Sequence, residues 1–183
     1  MNSKSWRCAV FVVALAAFCV LIGLSQGTVQ AGAESETGVS ENKSEENVAA
    51  NEVFSPLELE LLSLINEVRQ ENDLLPLKVN PVLAKVARQH AVEMIEYDYF
   101  SHRSPYSGSP AARVRTAGLS VTRVGENLAG NTCVTNAHEM LMSSRAHRGN
   151  VLSDSYAYIG LGVVKGGRYG KMIVQVFTDN IDK

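Results

Sequence analysis

The sequence predicts an α+β fold in which helices pack on an antiparallel sheet, and three observations carry that prediction. Apolar residues recur at helical spacing through the first half of the chain. A Gly166-Gly167 turn late in the chain joins two segments of alternating apolar residues, the pattern of a β-hairpin. Helices therefore come first and strands mostly late, which argues against the strict alternation of a parallel α/β fold.

At the N-terminus, Lys4 and Arg7 stand without any acid before an almost wholly apolar run from Cys8 to Leu24. This is the layout of a signal peptide, with Val29-Gln30-Ala31 as its small-residue cleavage site. Cleavage after Ala31 is expected, so residues 1–31 are read as the signal and the protein as secreted or attached to the cell envelope. The alternative is an uncleaved anchor, which would then be the chain's one contact with a membrane. Cleavage removes Cys8 and Cys19 and leaves Cys133, so the mature domain is expected to draw its stability from its core.

Residues 32–53 hold six glutamates against Lys43, with Val39 and Val48 as the larger apolar residues before Val53. Such a composition cannot bury enough surface to order itself. It reads as an acidic flexible linker, either a spacer that holds the domain off the membrane or wall, or a tail with no role. Residues 54–183 have the length of one domain. From residue 53 onward there are 14 basic and 13 acidic side chains, a balance that offers no field for nucleic acid.

Within the domain, Ser55-Pro56-Leu57-Glu58 is a capping box with proline at the first helical position, and Phe54 can staple onto Leu59. Leu57, Leu61, Leu64, Ile65 and Val68 form one helical face until Asn72-Asp73 breaks the pattern. A second helix starts at Asn80-Pro81, carries Leu83, Val86, Ala87, His90 and Met94 on its apolar stripe, and fades near residues 97–100. Residues 101–108 are a loop, and Ser109-Pro110 caps a short third helix that ends at Gly118. Val121 to Ala129 reads as a strand interrupted by Gly125, and Asn136 to Ser144 as a fourth helix. Tyr158 to Lys165 and Tyr169 to Thr178 are the hairpin strands.

The four histidines have different settings. His90, in an apolar stripe, reads as a structural histidine, and His138, in the first turn of a helix, as a surface one. His102 lies in a polar loop, Glu126 follows Gly125 in an otherwise apolar strand, and His147 ends a helix beside Arg148. If these three converge, they could hold a divalent cation with an open position for water, or act as acid and base around a bound group. Their separations of 24 and 21 residues are not a local metal motif.

Several strings occur in one order: His90-Ala91-x-x-Met94, Tyr99-Phe100-Ser101-His102, Gly125-Glu126-Asn127-Leu128-Ala129, His147-Arg148-x-Asn150-Val151-Leu152, Ile159-Gly160-Leu161-Gly162-Val163 and Gln175-Val176-Phe177. Together they resemble the bacterial branch of the CAP superfamily over nearly all of residues 57–180. The resemblance implies an α-β-α sandwich, a central antiparallel sheet between helical layers, with a cleft lined by histidines and glutamates. In animal and fungal members that cleft bears two histidines and two glutamates, and some bind zinc or another divalent ion. His102 and Glu126 match the first such pair. The family's second glutamate corresponds to Ser144, and its other histidine falls near residues 169–173, where this chain has none. Bacterial members place a histidine like His147 near the cleft, so the site has one carboxylate.

The expected cleft thus comprises His102, Glu126, His147, Asn127, Arg148 and Gln175, with His102, Glu126 and His147 as the candidate ligands of a divalent cation such as zinc. Asn127, Asn150 and Gln175 are read as structural amides, and Arg148 as a partner for a carboxylate or an anionic ligand. The incomplete site favours a non-catalytic binding module for a lipid, a peptide or a cell-envelope component. The alternative is a metal-assisted hydrolase of the peptidase type using His102, Glu126 and His147.

Overall fold

The computed structural model describes residues 53–179, so the signal segment and nearly all of the acidic linker lie outside the described residues. The first helix, α1 (Pro56–Glu71), starts where its capping box dictates: Ser55 Oγ accepts from the Glu58 amide, and Glu58 Oε2 accepts from the Ser55 amide at 2.8 Å. A two-residue strand, β1 (Lys78–Val79), precedes α2 (Pro81–Glu96), whose first amides donate to Asn80 Oδ1. Ser109 caps α3 (Pro110–Thr116). Then come β2 (Val124–Gly130), α4 (Val134–Ser143), α5 (Arg145–Val151), β3 (Tyr158–Lys165) and β4 (Lys171–Thr178).

The sheet order is β1-β3-β4-β2. β3 and β4 form the expected antiparallel hairpin, and β2 pairs antiparallel with β4, Glu126 opposite Val176 and Asn127 opposite Gln175. One edge departs from the all-antiparallel expectation, because β1 pairs parallel with β3. The long crossover through α2, α3, β2, α4 and α5 brings the chain back to run beside β1 in the same direction, as parallel pairing requires.

Alternation along β4 sorts the core into two layers. Met172, Val174 and Val176 join Leu83, Val86, Ala87 and Met94 of α2 and Val114 of α3 in one apolar cluster. Ile173 and Phe177 face the other way, with Leu61 and Ile65 of α1, Val134, Ala137 and Leu141 of α4 and Val151 of α5. The result is the three-layer sandwich, helices on both faces of the sheet. α2 lies so close to β3 that a Cβ on Gly160 would stand 2.1 Å from the Leu83 carbonyl carbon, and one on Gly162 2.6 Å from that of Ala87. Glycine is required there by proximity.

Three local readings are corrected. The fourth helix ends at Ser143, because Ser144 is extended (φ −89°, ψ 123°) and starts a separate helix, so His147 sits inside α5 rather than at the end of a long helix. β2 begins at Val124, and Gly125 lies within it without interrupting it. His138 is buried rather than on the surface, because α4 turns it inward as the helix packs against α1. Burial holds its imidazole below the usual histidine range, though nearby Glu139 and Glu67 oppose the effect.

Candidate functional site

β2 is an edge strand, and the site forms around its N-terminal half. Alternation sends Glu126 toward the α2–α3 layer and Asn127 toward the α5 layer. The Glu126 side chain is 1% exposed, and each of its oxygens has a partner. Oε1 accepts from His102 Nδ1 at 2.9 Å, and Oε2 accepts from Arg113 Nη2 at 2.5 Å. His90 Nε2 stands 4.0 Å from Oε1. Burial pushes the Glu126 carboxyl above its ordinary value, while the charge of Arg113 and the hydrogen bond from His102 pull it back.

The loop that carries His102 is tied at several points. His90 Nε2 lies 3.0 Å from the Ser101 carbonyl, Arg113 Nη1 donates to the carbonyls of His102 (3.1 Å) and Gly108 (2.7 Å), and Ser104 and Gly108 form a β-bridge. Ser104 Oγ and the Tyr99 hydroxyl both donate to Glu93 on α2. His102 is thereby presented with half of its side chain open to solvent while its inner nitrogen faces a buried carboxylate.

On the opposite face of β2, a belt of amides fastens α5 to the strand. Asn127 Nδ2 donates to the His147 carbonyl (3.0 Å) and to Gln175 Oε1 (3.0 Å), and Asn150 Nδ2 donates to Asn127 Oδ1 (2.8 Å) and to the Glu126 carbonyl (3.2 Å). A buried sheet edge leaves such carbonyls needing donors, which Asn150 supplies. Gly125 permits the approach: a Cβ there would meet the Tyr156 hydroxyl at 2.5 Å and Asn150 Oδ1 at 3.1 Å. Buried Arg69 of α1 holds the C-terminal end of α5, donating to the carbonyls of Val151 and Ser153, both at 2.8 Å. His147 is half-buried, and burial followed by the charge of His102 lowers its imidazole below the usual value.

The six residues expected in the cleft therefore divide. His102 and Glu126 touch, and His147 lies within electrostatic reach of His102. Asn127 and Gln175 are fully buried behind the strand and act as structural amides, so neither lines an open cleft. Arg148 turns outward and donates to the Met142 carbonyl at 3.1 Å, away from Glu126. Sequence reasoning missed Arg113. It sits one turn after a Ser-Pro cap beside Arg115, and nothing local separates the buried arginine from the exposed one. It also set His90 aside, although His90 stands against Glu126.

Glu126 does not fit as a direct ligand of a divalent cation: its oxygens are engaged by an imidazole N–H and a guanidinium, and Arg113 supplies a positive charge in the ion's place, which leaves only the outer ring nitrogens of His102 and His147. Among the described residues, no group of three or more His, Cys, Asp or Glu side chains is placed to hold a metal. What the arrangement can do is orient His102. Its Nδ1 proton is held by a carboxylate that is itself held by Arg113, which fixes the tautomer and aims the other ring nitrogen outward.

Comparison with known proteins agrees with this architecture. The model of the cysteine-rich secretory protein family, CAP, matches residues 62–177. The Bacillus subtilis protein YkwD is 32% identical over 134 residues, which are 73% of this chain and 52% of YkwD. The Bacillus subtilis membrane protein YlbC is 34% identical over 107 residues, 58% of this chain and 31% of YlbC. A crystal structure of an extracellular protein containing a SCP domain from Bacillus anthracis aligns with a TM-score of 0.60 at 30% identity, covering 67% of this chain and 40% of that one. The chain spans about half the length of YkwD and less of the other two. With the three-layer sandwich and a match across the great majority of the described residues, this chain belongs to the cysteine-rich secretory protein (CAP) family.

Proposed function

We propose that this chain is an exported, non-catalytic binding module that holds a lipid, a peptide or a cell-envelope component at the cleft of His102, Glu126 and His147. The observation that carries the reading is the double engagement of Glu126, by His102 through one oxygen and by Arg113 through the other. A carboxylate so engaged orients an imidazole, and the guanidinium beside it disfavours a cation at its oxygens. His102, half-exposed and rigidly aimed, then serves as a hydrogen-bonding contact for a ligand, with His147 beside it.

An extracytoplasmic location is supported by the N-terminal apolar segment and by the Bacillus anthracis relative described as extracellular. YlbC, a membrane protein, is in keeping with an anchored version of the same arrangement. The metal-assisted hydrolase is the competing reading, and zinc titration by calorimetry separates the two. The full chain and its His102→Ala variant are titrated, with folding of both checked by circular dichroism. No micromolar zinc binding in either protein is the expected result. Micromolar zinc binding by the parent chain that disappears in His102→Ala would overturn the non-catalytic reading.

A further inference from the structure

A groove of about 870 Å3 is lined by α2, by α3 with Ala117 at its end, and by Tyr106 and Ser107 of the loop between them. Its buried lining includes Val86, His90 and Arg113, and its exposed rim Lys85, Gln89 and Tyr106. Neither His102 nor His147 lines it. The volume is that of a small-molecule site. We infer that this groove binds a neutral saccharide, with a sugar hydroxyl between His90 and Arg113 and a ring face against Tyr106.

The first support is a pair of buried polar atoms in the lining. His90, wholly buried, turns Nε2 to the Ser101 carbonyl, which can only accept, so Nε2 carries the proton and Nδ1 is left as an acceptor. His90 Nδ1 and Arg113 Nε have no hydrogen-bond partner within the protein. One is an acceptor and the other a donor, both closed to solvent on residues that line the groove, and buried polar groups of this kind are costly to leave unmade. A hydroxyl is both donor and acceptor, so a polyhydroxy ligand answers either.

The second support is charge. Arg113 is paired with Glu126, and Glu93 accepts from Ser104 and Tyr99, so the inner lining is polar with its charges engaged. Burial, then the charge of Arg113, holds His90 at about 4, which keeps it neutral at physiological pH. A buried phosphate or carboxylate would find no unengaged cation inside the groove, since Lys85 stands at the exposed rim.

The third support is the mouth. Tyr106 is 64% exposed and rests on Tyr97, ring centroids 4.2 Å apart and planes inclined at 34°. The loop that presents it is preorganised, because the amides of Tyr106 and Ser107 both donate to Ser104 Oγ, at 2.9 and 2.8 Å. An exposed, fixed aromatic face with a polar edge suits the C–H face of a sugar ring.

The test is a chemical-shift titration of the isotopically labelled full chain with neutral β-1,4-linked tetrasaccharides of glucose and of N-acetylglucosamine. Expected are shifts of the His90 ring and the Arg113 Nε–H, about tenfold weaker binding in Tyr106→Ala, and loss of binding in Ala117→Trp, which fills the groove from an exposed position. His102→Ala is expected to bind as the parent does, which separates this site from the cleft. The proposal is overturned if neither sugar shifts these resonances in folded protein at about 10 mM. It is equally overturned if Ala117→Trp binds as well as the parent, or if inorganic phosphate produces the same shifts at lower concentration.

Discussion

Replacing Arg113 with methionine tests the centre of the site most directly. The substitution keeps an apolar stem of similar length but removes the guanidinium from a carboxylate whose side chain is 1% exposed. It also removes the donors to the His102 and Gly108 carbonyls, which can turn toward water because the His102 loop is exposed. The dominant loss is therefore an uncompensated buried charge, about 3–5 kcal/mol for breaking a buried pair from one side. Against a typical global stability of about 5–15 kcal/mol, that is a large fraction.

The effect has a definite pH dependence. The carboxyl of folded Glu126 is raised above its unfolded value near 4.5, so its contribution to stability is fully present below that value and is lost as pH rises through the folded one. Without Arg113 the folded value climbs further, and the variant's deficit widens as pH rises past the parent's folded value. Urea unfolding at about pH 5 and about pH 8 reads this, followed by circular dichroism because the single tryptophan, Trp6, lies outside the described domain. The double variant Arg113→Met, Glu126→Leu is expected to recover most of the loss, since an apolar pair replaces a charged one. A deficit below about 1 kcal/mol at about pH 8, or one equal at both pH values, would refute the reasoning.

Three further outcomes are expected. Gly160→Ala drives a methyl into the backbone of α2 at Leu83, which cannot swing aside, and is expected to cost about 1–3 kcal/mol or more in a denaturant melt. Glu58 accepts from Ser55, Arg88 and the Val163 amide, tying α1 to α2 and β3, so Glu58→Ala is expected to cost about 1–3 kcal/mol, the partly exposed Arg88 being free to turn to water. Burial raises the Glu58 carboxyl, but Arg88 and the other donors outweigh it and leave it lowered, so its stabilisation is present above about pH 4.5 and is lost on acidification through the folded value. The folded imidazole of His90 is lowered to about 4, so its stabilisation is complete above about pH 6.5 and falls away as pH drops toward 4, by up to ~3 kcal/mol. His90→Gln is expected to flatten that limb in urea midpoints measured across the range, and an unchanged limb would assign it to another group.

Much of the fold was legible because its signals are local. Ser55 and Glu58 lie three residues apart and cap one helix, Asn80 and Ser109 mark two more starts, and the Gly166-Gly167 turn sets the hairpin. β1 was not legible, since two residues carry no periodicity and pair only with a strand some 80 positions away. The break at Ser144 was equally silent, because serine suits either a helix or its cap and the choice falls to the packing of α5 against β2. In the site, His102 and Glu126 were found from their strings, whereas Arg113 looked like an ordinary surface arginine at a helix end.

The sequence by itself determined three helix starts and the hairpin, because capping and periodicity are written in neighbouring residues, while the three-layer class and the nearness of His102 to Glu126 followed from the resemblance of its ordered strings to a known family. Only the tertiary structure decided which charge stands beside that carboxylate. Burial is a property of how α3 lies over β2, and it made Arg113 the buried counter-ion, sent Arg148 outward and enclosed Asn127 and Gln175 behind the strand. A buried charge takes its chemistry from the partner packing brings to it, and here that partner is a guanidinium where a metal ligand set was expected.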